Sequence, residues 1–233
     1  VLIYGVATGF DHASIPAAAI AIAQAAAGAG LSSDIAPAGI TTTNNTVPIP
    51  GDFTPQALAA YGAVVLLASS GEPLGTPGTS QIQALIDFVN AGGGLVAIED
   101  ANHAYDSSFD AGSAPFIALI GGDFNGHTAY GPGTCQTVGM QQSNAMLPAT
   151  FSIVDEVYFY KQLSTDIQVV LNCEPPGNAP RPISWVRTQG AGRVFYTGLG
   201  HDIHSWTGPT APTGGVSLVS QHILPALLWT MKR

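Results

Sequence analysis

Charge is the first thing this chain lacks. Of its 233 residues only six are Lys or Arg and fifteen Asp or Glu, so charged side chains make up 9%, against about 25% in an average soluble protein. All six basic residues fall at or after Lys161, and the formal charge is −9. A phosphate backbone is gripped by a basic face, so no nucleic-acid partner is expected. Cysteine is scarce too: Cys135 and Cys173 are too few and too far apart for a zinc cluster or a CxxC redox centre. Two readings of the pair stay open, a structural disulfide if the protein is exported and two unconnected buried thiols. The longest apolar run, 15–30, is mostly alanine, is interrupted by Gln24 and falls short of the roughly 20 residues that cross a bilayer, so no membrane partner is expected. A Gly-x-Ser-x-Gly elbow and a nucleotide-binding glycine fingerprint are both missing.

Apolar residues are abundant at 46%, which excludes disorder and leaves solubility to Ser, Thr, Asn and Gln. The length suits a single domain, 1–233, with a sizeable core. Scarce lysine, 28 Gly, 17 Pro and the glycosylation sequon Asn44-Asn45-Thr46 point to an extracellular, secreted protein. No basic n-region or cleavage site precedes the first strand, so the sequence reads as a mature chain without signal peptide.

The apolar run 1–6 (VLIYGV) reads as a strand buried on both faces, followed by an alanine-rich helix over 14–27. A short strand is expected near 33–36, a loop over 41–55, a strand at 63–68, an amphipathic helix at 79–90 and a strand at 95–98 after Gly92-Gly93-Gly94. This βα alternation predicts a parallel sheet with helices on both faces. Beyond it, strand candidates at 135–140, 157–160, 167–172, 183–186 and 193–197 are separated by Gly, Pro and Asn rather than by helices, so some must be antiparallel. A last helix over 216–231 would pack Leu218, Val219, Ile223, Leu227 and Leu228 on the sheet, with Pro225 as a possible kink.

Ligands of open α/β sheets bind outside the carboxyl ends of the strands. Those exits carry Asp11-His12, Ser69-Ser70-Gly71-Glu72, Glu99-Asp100-Ala101-Asn102-His103 and His201-Asp202-Ile203-His204, so four of the six histidines stand at predicted strand exits. Topology therefore predicts that His12, Glu99, His103 and His201 share one pocket.

Four further blocks occur in order along the chain: 88–98 (FVNAGGGLVAI), 119–127 (LIGGDFNGH), 155–158 (DEVY) and 192–201 (GRVFYTGLGH). As an ordered set they resemble the trehalose-utilisation (ThuA-like) family. The resemblance implies the class I glutamine-amidotransferase-like fold, a flavodoxin-like three-layer α/β sandwich whose mostly parallel central sheet carries an antiparallel extension. It also implies a link to sugar metabolism, and it favours His12, His127, Glu156, Tyr158 and His201 as pocket residues. After the fourth strand the family usually shows an Ile-His pair. This chain has Ile98-Glu99, with His103 four positions later, so its pocket chemistry is expected to differ.

Amidotransferases of this fold place a nucleophilic Cys at the turn that reads Glu99-Asp100-Ala101 here, and neither cysteine lies near it, which excludes a thiolate glutaminase. Acid-base work on a sugar needs two groups facing each other across the substrate, carboxylates or a His or Tyr with one. Glu156 and His201, acting with Glu99 and His103, are the expected catalytic set; His12, Asp100, His127, Tyr158 and Trp206 are expected to bind substrate. Trp206 is singled out for stacking on a sugar ring, because its Gly- and Pro-rich loop offers no regular structure to bury it. The expected partner is a neutral glycan or oligosaccharide, converted by hydrolysis, elimination or isomerisation without a cofactor. Two alternatives use the same residues. One is a noncatalytic carbohydrate-binding module. The other is a zinc-dependent hydrolase in which His201, Asp202 and His204 supply two ligands and His12, Glu99 or His103 completes the site.

Overall fold

The computed structural model describes residues 1–38, 53–108, 113–139, 146–207 and 215–233. The sequon at 44–46 and most of the expected 41–55 loop lie outside the described residues. In chain order the elements are β1 (Leu2–Tyr4), α1 (Ile15–Gly28), β2 (Asp34–Ala36), α2 (Pro55–Leu58), β3 (Ala63–Leu67), α3 (Ser80–Asn90), β4 (Gly94–Ile98), a 3-10 turn (Glu99–Asn102), α4 (Ala114–Ile120), β5 (Gly122–His127) and β6 (Gly131–Thr137). They continue with β7 (Thr150–Asp155), β8 (Tyr158–Leu163), β9 (Gln168–Glu174), β10 (Arg181–Gln189), β11 (Gly192–Thr197), α5 (His204–Thr207), a π-helix (Leu218–Ile223) and α6 (Leu224–Thr230).

Nine strands form one sheet in the order β2-β1-β3-β4-β11-β10-β9-β6-β7, and β5 pairs with β8 in a separate ribbon. The first five strands in that order are parallel to their neighbours, and every pairing from β11–β10 onward is antiparallel. The period of two along each central strand explains the layers. Ile3, Val65, Val96 and Phe195 face one apolar core with Ile15, Ile22, Ile223 and Leu227, while Leu2, Val64, Leu95 and Val194 face a second core with Ile82, Leu85, Val89 and Phe116. The result is a flavodoxin-like three-layer sandwich with an antiparallel extension.

Helix α1 has Pro16 in its first turn and buries Ile15, Ala18, Ala19, Ile22 and Ala26, one face at helical spacing. The last helix departs from the expected single run over 216–231. A π-helical turn at Leu218–Ile223 passes directly into α6, with Pro225 at the change from the one to the other. Strands β5 and β7 were not expected. β5 is the short glycine-flanked run GDFNGH, and β7 alternates in burial but carries polar residues at 150, 152 and 155, so its apolar signal reduces to Phe151, Ile153 and Val154. Cys135 and Cys173 are directly opposed on β6 and β9, with Cα atoms 4.1 Å apart, and form a disulfide.

Candidate active site

Parallel strands supply the inner wall. β1 leads through Phe10 to His12, β4 turns at once through Glu99, and β11 leads to His201. The β3 exit works as a clamp: Ser70 Oγ donates to the carbonyl of Phe10 at 2.8 Å, and its own carbonyl accepts the N–H of Thr8 at 3.0 Å. Gly71 sits at φ +77°, where a Cβ would come within 2.5 Å of the Gly9 nitrogen, so the two exit loops meet backbone to backbone. The antiparallel extension supplies the outer wall. Glu156 sits in the connection from β7 to β8, and His127 at the end of β5 is paired with Tyr158 at the start of β8.

Together these elements enclose an open pocket of about 560 Å³ lined by Phe10, His12, Asp100, His103, Phe124, Gly126, His127, Glu156, Tyr158 and His201. Seven of the nine residues expected at the site are on this lining. An eighth, Glu99, lies directly behind it and is fully buried. No lining residue is Lys or Arg.

Glu99 adopts φ +55°, a conformation that costs a non-glycine residue about 1–3 kcal/mol and is kept where a site demands it. Its Oε1 lies 3.2 Å from Nε2 of His12 and 3.4 Å from Nδ1 of His201, and it accepts the Tyr158 hydroxyl at 2.5 Å. Its Oε2 accepts the N–H of Asp100 at 2.6 Å. Burial by itself would raise this carboxyl, but the hydrogen bonds from His12, His201 and Tyr158 and the charge of His12 bring it down to about 2. The hydrogen bond to Glu99 in turn raises His201 to about 9 against its own partial burial. Burial disfavours charge on His12 as well, yet the hydrogen bond and charge of Glu99 leave its pKa raised. Glu99 is therefore an anion that orients two imidazoles.

Glu156 Oε2 lies 3.2 Å from Nδ1 of His201 and 3.2 Å from Nδ1 of His127. Burial raises its pKa in spite of those two rings, and the charge of Glu99 adds to the rise. His103 has both ring nitrogens against carboxylates, Nδ1 at 3.1 Å from Asp100 and Nε2 at 3.2 Å from Asp106, and its ring stacks on Phe124 at 4.1 Å between centroids. With both nitrogens engaged it presents a held ring face, not the free proton-transfer nitrogen expected of a catalytic group.

The expectation for Trp206 is corrected. Its side chain is buried, its Nε1 donates to the carbonyl of Gly200 at 2.9 Å, and it lines no part of the pocket. The short helix α5 turns it inward, which loop composition did not reveal. Tyr105 and Tyr160 are both away from the lining, and the Tyr105 hydroxyl donates to the carbonyl of Gly75. Asp202 and His204 pair with each other at the surface, 2.5 Å apart, so the expected ligand run breaks after His201.

Two residues of the site were not in the expected set, although Asp155 was among the acids the sequence offered. Phe10 stands 63% exposed at the mouth, edge-on to His12; an isolated aromatic after a glycine carries no pattern. Asp155 is buried and accepts the N–H of Gly200 at 2.9 Å, Glu156 at 2.9 Å and His201 at 3.3 Å. Burial pushes it up to about 7 despite those donors. A signal for it exists, because Phe151, Ile153 and Asp155 are the inward positions of one strand.

A model of the ThuA family, described as trehalose utilisation, matches residues 1–230. The chain belongs to the ThuA family. No curated protein matches it. Among solved structures, a ThuA-like protein from Bacteroides uniformis superposes with a TM-score of 0.73 at 18% identity, over 98% of this chain and 89% of that one. A ThuA-like protein from Parabacteroides merdae gives 0.69 at 16% identity, over 99% and 88%. A β-galactosidase from Bacillus circulans gives 0.54 at 11% identity, over 94% of this chain and 26% of that enzyme. At such identities the likeness carries the glutamine-amidotransferase-like fold of the ThuA family and nothing about activity. The turn after β4 holds Glu99 at positive φ, and neither cysteine is near it, both being joined in the disulfide of the antiparallel extension.

Proposed function

We propose that this ThuA-family chain is an enzyme acting on a neutral glycan or oligosaccharide by acid-base catalysis, with Glu156 and His201 as the working pair. The observation that supports this reading is the 3.2 Å approach of Glu156 to His201 on the wall of an open pocket with aromatic rings and, among the described residues, no Lys or Arg. At that separation a proton passes directly between the two groups, so either one can serve a sugar hydroxyl or glycosidic oxygen and be reset by the other. Glu99 acts through His12 and His201 as a positioning residue. The exposed face of Phe10 and the Phe124–His103 stack offer apolar surface to sugar rings, and Asp100 and His127 offer hydrogen-bonding groups to hydroxyls. The Cys135–Cys173 disulfide fits an oxidising, extracellular setting.

The test is a panel of neutral glycans incubated with the protein and followed by mass spectrometry. A gain of water marks hydrolysis, an unsaturated end marks elimination, and an unchanged mass with altered retention marks isomerisation. Glu156→Gln and His201→Ala should each lower turnover about 100-fold, the usual scale for a lost general acid or base, with unchanged thermal melts. Full activity in both variants would remove the pair from the mechanism. Glycan binding without any conversion would make the chain a carbohydrate-binding module.

A further inference from the structure

The geometry points to a second use of the inner wall: we propose that His12, Glu99 and His201 bind a divalent transition metal of the zinc class, with an open fourth position facing the pocket. The three ligand atoms, one from each residue, all lie within 4.8 Å of one another. Around a zinc ion bonded at 2.0 to 2.2 Å the edges of the coordination tetrahedron are roughly 3.3 to 3.6 Å long. The His12 Nε2 to Glu99 Oε1 distance is 3.2 Å and the His201 Nδ1 to Glu99 Oε1 distance is 3.4 Å. Two edges of a tetrahedron are thus already in place. Two imidazoles with one carboxylate form a ligand set suited to zinc that leaves one position for water.

The surroundings of the trio are those that metal ligands require. A ligating carboxylate is held by hydrogen bonds from outside the metal's shell, and Glu99 has two, from the Tyr158 hydroxyl and the Asp100 N–H. A histidine that ligates through Nε2 keeps its proton on Nδ1. In His12 that nitrogen is buried without a hydrogen-bond partner among the described residues, and the carboxylate facing it is Asp100, 4.0 Å away. A metal on Nε2 fixes the tautomer in which Nδ1–H points at Asp100. Without a metal, His12, His201 and Tyr158 all crowd one carboxylate oxygen that has two lone pairs. Glu156, 3.2 Å from the same His201 nitrogen, lies beside the fourth position. The site builds on the reading of this pocket as catalytic: with metal bound, His201 is a ligand and proton transfer falls to Glu156 alone.

The experiment is a titration of chelator-treated, dialysed protein with cobalt(II), read by the visible ligand-field absorption that a four- or five-coordinate site gives, then back-titration with zinc. One equivalent should bind and be displaced by zinc. His12→Ala and His201→Ala should each weaken binding at least about 100-fold, more than the loss of an outer-shell partner. His204→Ala, which removes the rival surface pair with Asp202, should leave it unchanged. Thermal melts show which variants are folded, and His201 at the pocket wall is the safer of the two. Absence of the absorption, or a signal that survives both substitutions, overturns the proposal. Glycan turnover measured in chelator separates the two readings. Cobalt binding without any turnover sinks the enzyme and leaves the metal site; undiminished turnover in chelator with no cobalt signal sinks the metal site and leaves the acid-base pair.

Discussion

Asp155 shows how one side chain can organise the pocket without lining it. Its two oxygens collect the N–H groups of Gly200, His201 and Glu156, so it ties the end of β7 to the exit of β11 and sets the distance between the proposed catalytic pair. Asp155→Asn keeps the shape but turns an NH₂ group toward at least one of those donors. Leaving a buried backbone N–H unpaired costs about 1–3 kcal/mol, so urea unfolding should show a loss of roughly 2 kcal/mol. If the pocket works as proposed, kcat on the glycan found by the panel should fall at least about tenfold with KM little changed, because the pair is displaced while the aromatic walls are not. An effect on stability alone would make Asp155 purely structural.

At the scale of elements, the antiparallel extension is the part that the apolar pattern least supports. β6 reads GPGTCQT and β5 GDFNGH, short runs with little to bury, and the Cys135–Cys173 bond joins β6 to β9 across a separation of 38 residues. In the chain-entropy model, closing a loop of that length stabilises by about 4 kcal/mol. The double substitution Cys135→Ser and Cys173→Ser should therefore lower Tm by about 10 °C, and native protein should resist alkylation until reduced. Two alkylatable thiols in the unreduced protein would refute the bond. The parallel half, by contrast, was readable almost to the residue: β3, α3 and β4 fall where the apolar periodicity and the Gly92-Gly93-Gly94 break predict them, since buried parallel strands and amphipathic helices write their environment into composition. β5 and β7 were missed because an edge strand and a two-stranded ribbon bury only part of one face.

For the molecule as a whole, the same contrast governs the site. Residues at the ends of parallel strands converge by topology alone, so His12, Glu99, His103 and His201 could be placed together from order and polarity. His127, Glu156 and Tyr158 reach the pocket from the extension, which no periodicity connects to it, and only the family resemblance placed them. Trp206 went wrong because a four-residue helix is too short to leave a pattern.

His222 lies outside the site and contributes to the whole fold's response to acid. His222, on the π-helix, is fully buried between sheet and helix layer; its Nε2 lies 3.2 Å from Ser184 Oγ and 3.1 Å from Thr197 Oγ1, and no carboxylate is among its recorded hydrogen-bond or ion-pair partners in the described residues. Burial lowers its pKa to about 3. In the unfolded chain it titrates near 6.5, so between those values the unfolded state binds a proton that the native state refuses, and stability falls as pH falls. The slope approaches about 1.4 kcal/mol per pH unit below pH 6 and vanishes above about 7. His222→Gln retains an acceptor or donor for the two hydroxyls and removes the titration. Urea midpoints of the two proteins should therefore run parallel above pH 7 and converge or cross between pH 6 and 4, the wild type losing stability faster by roughly 2 kcal/mol over that range. A pH dependence identical in both would show that His222 takes up its proton alike in the native and unfolded states and would refute the lowered pKa.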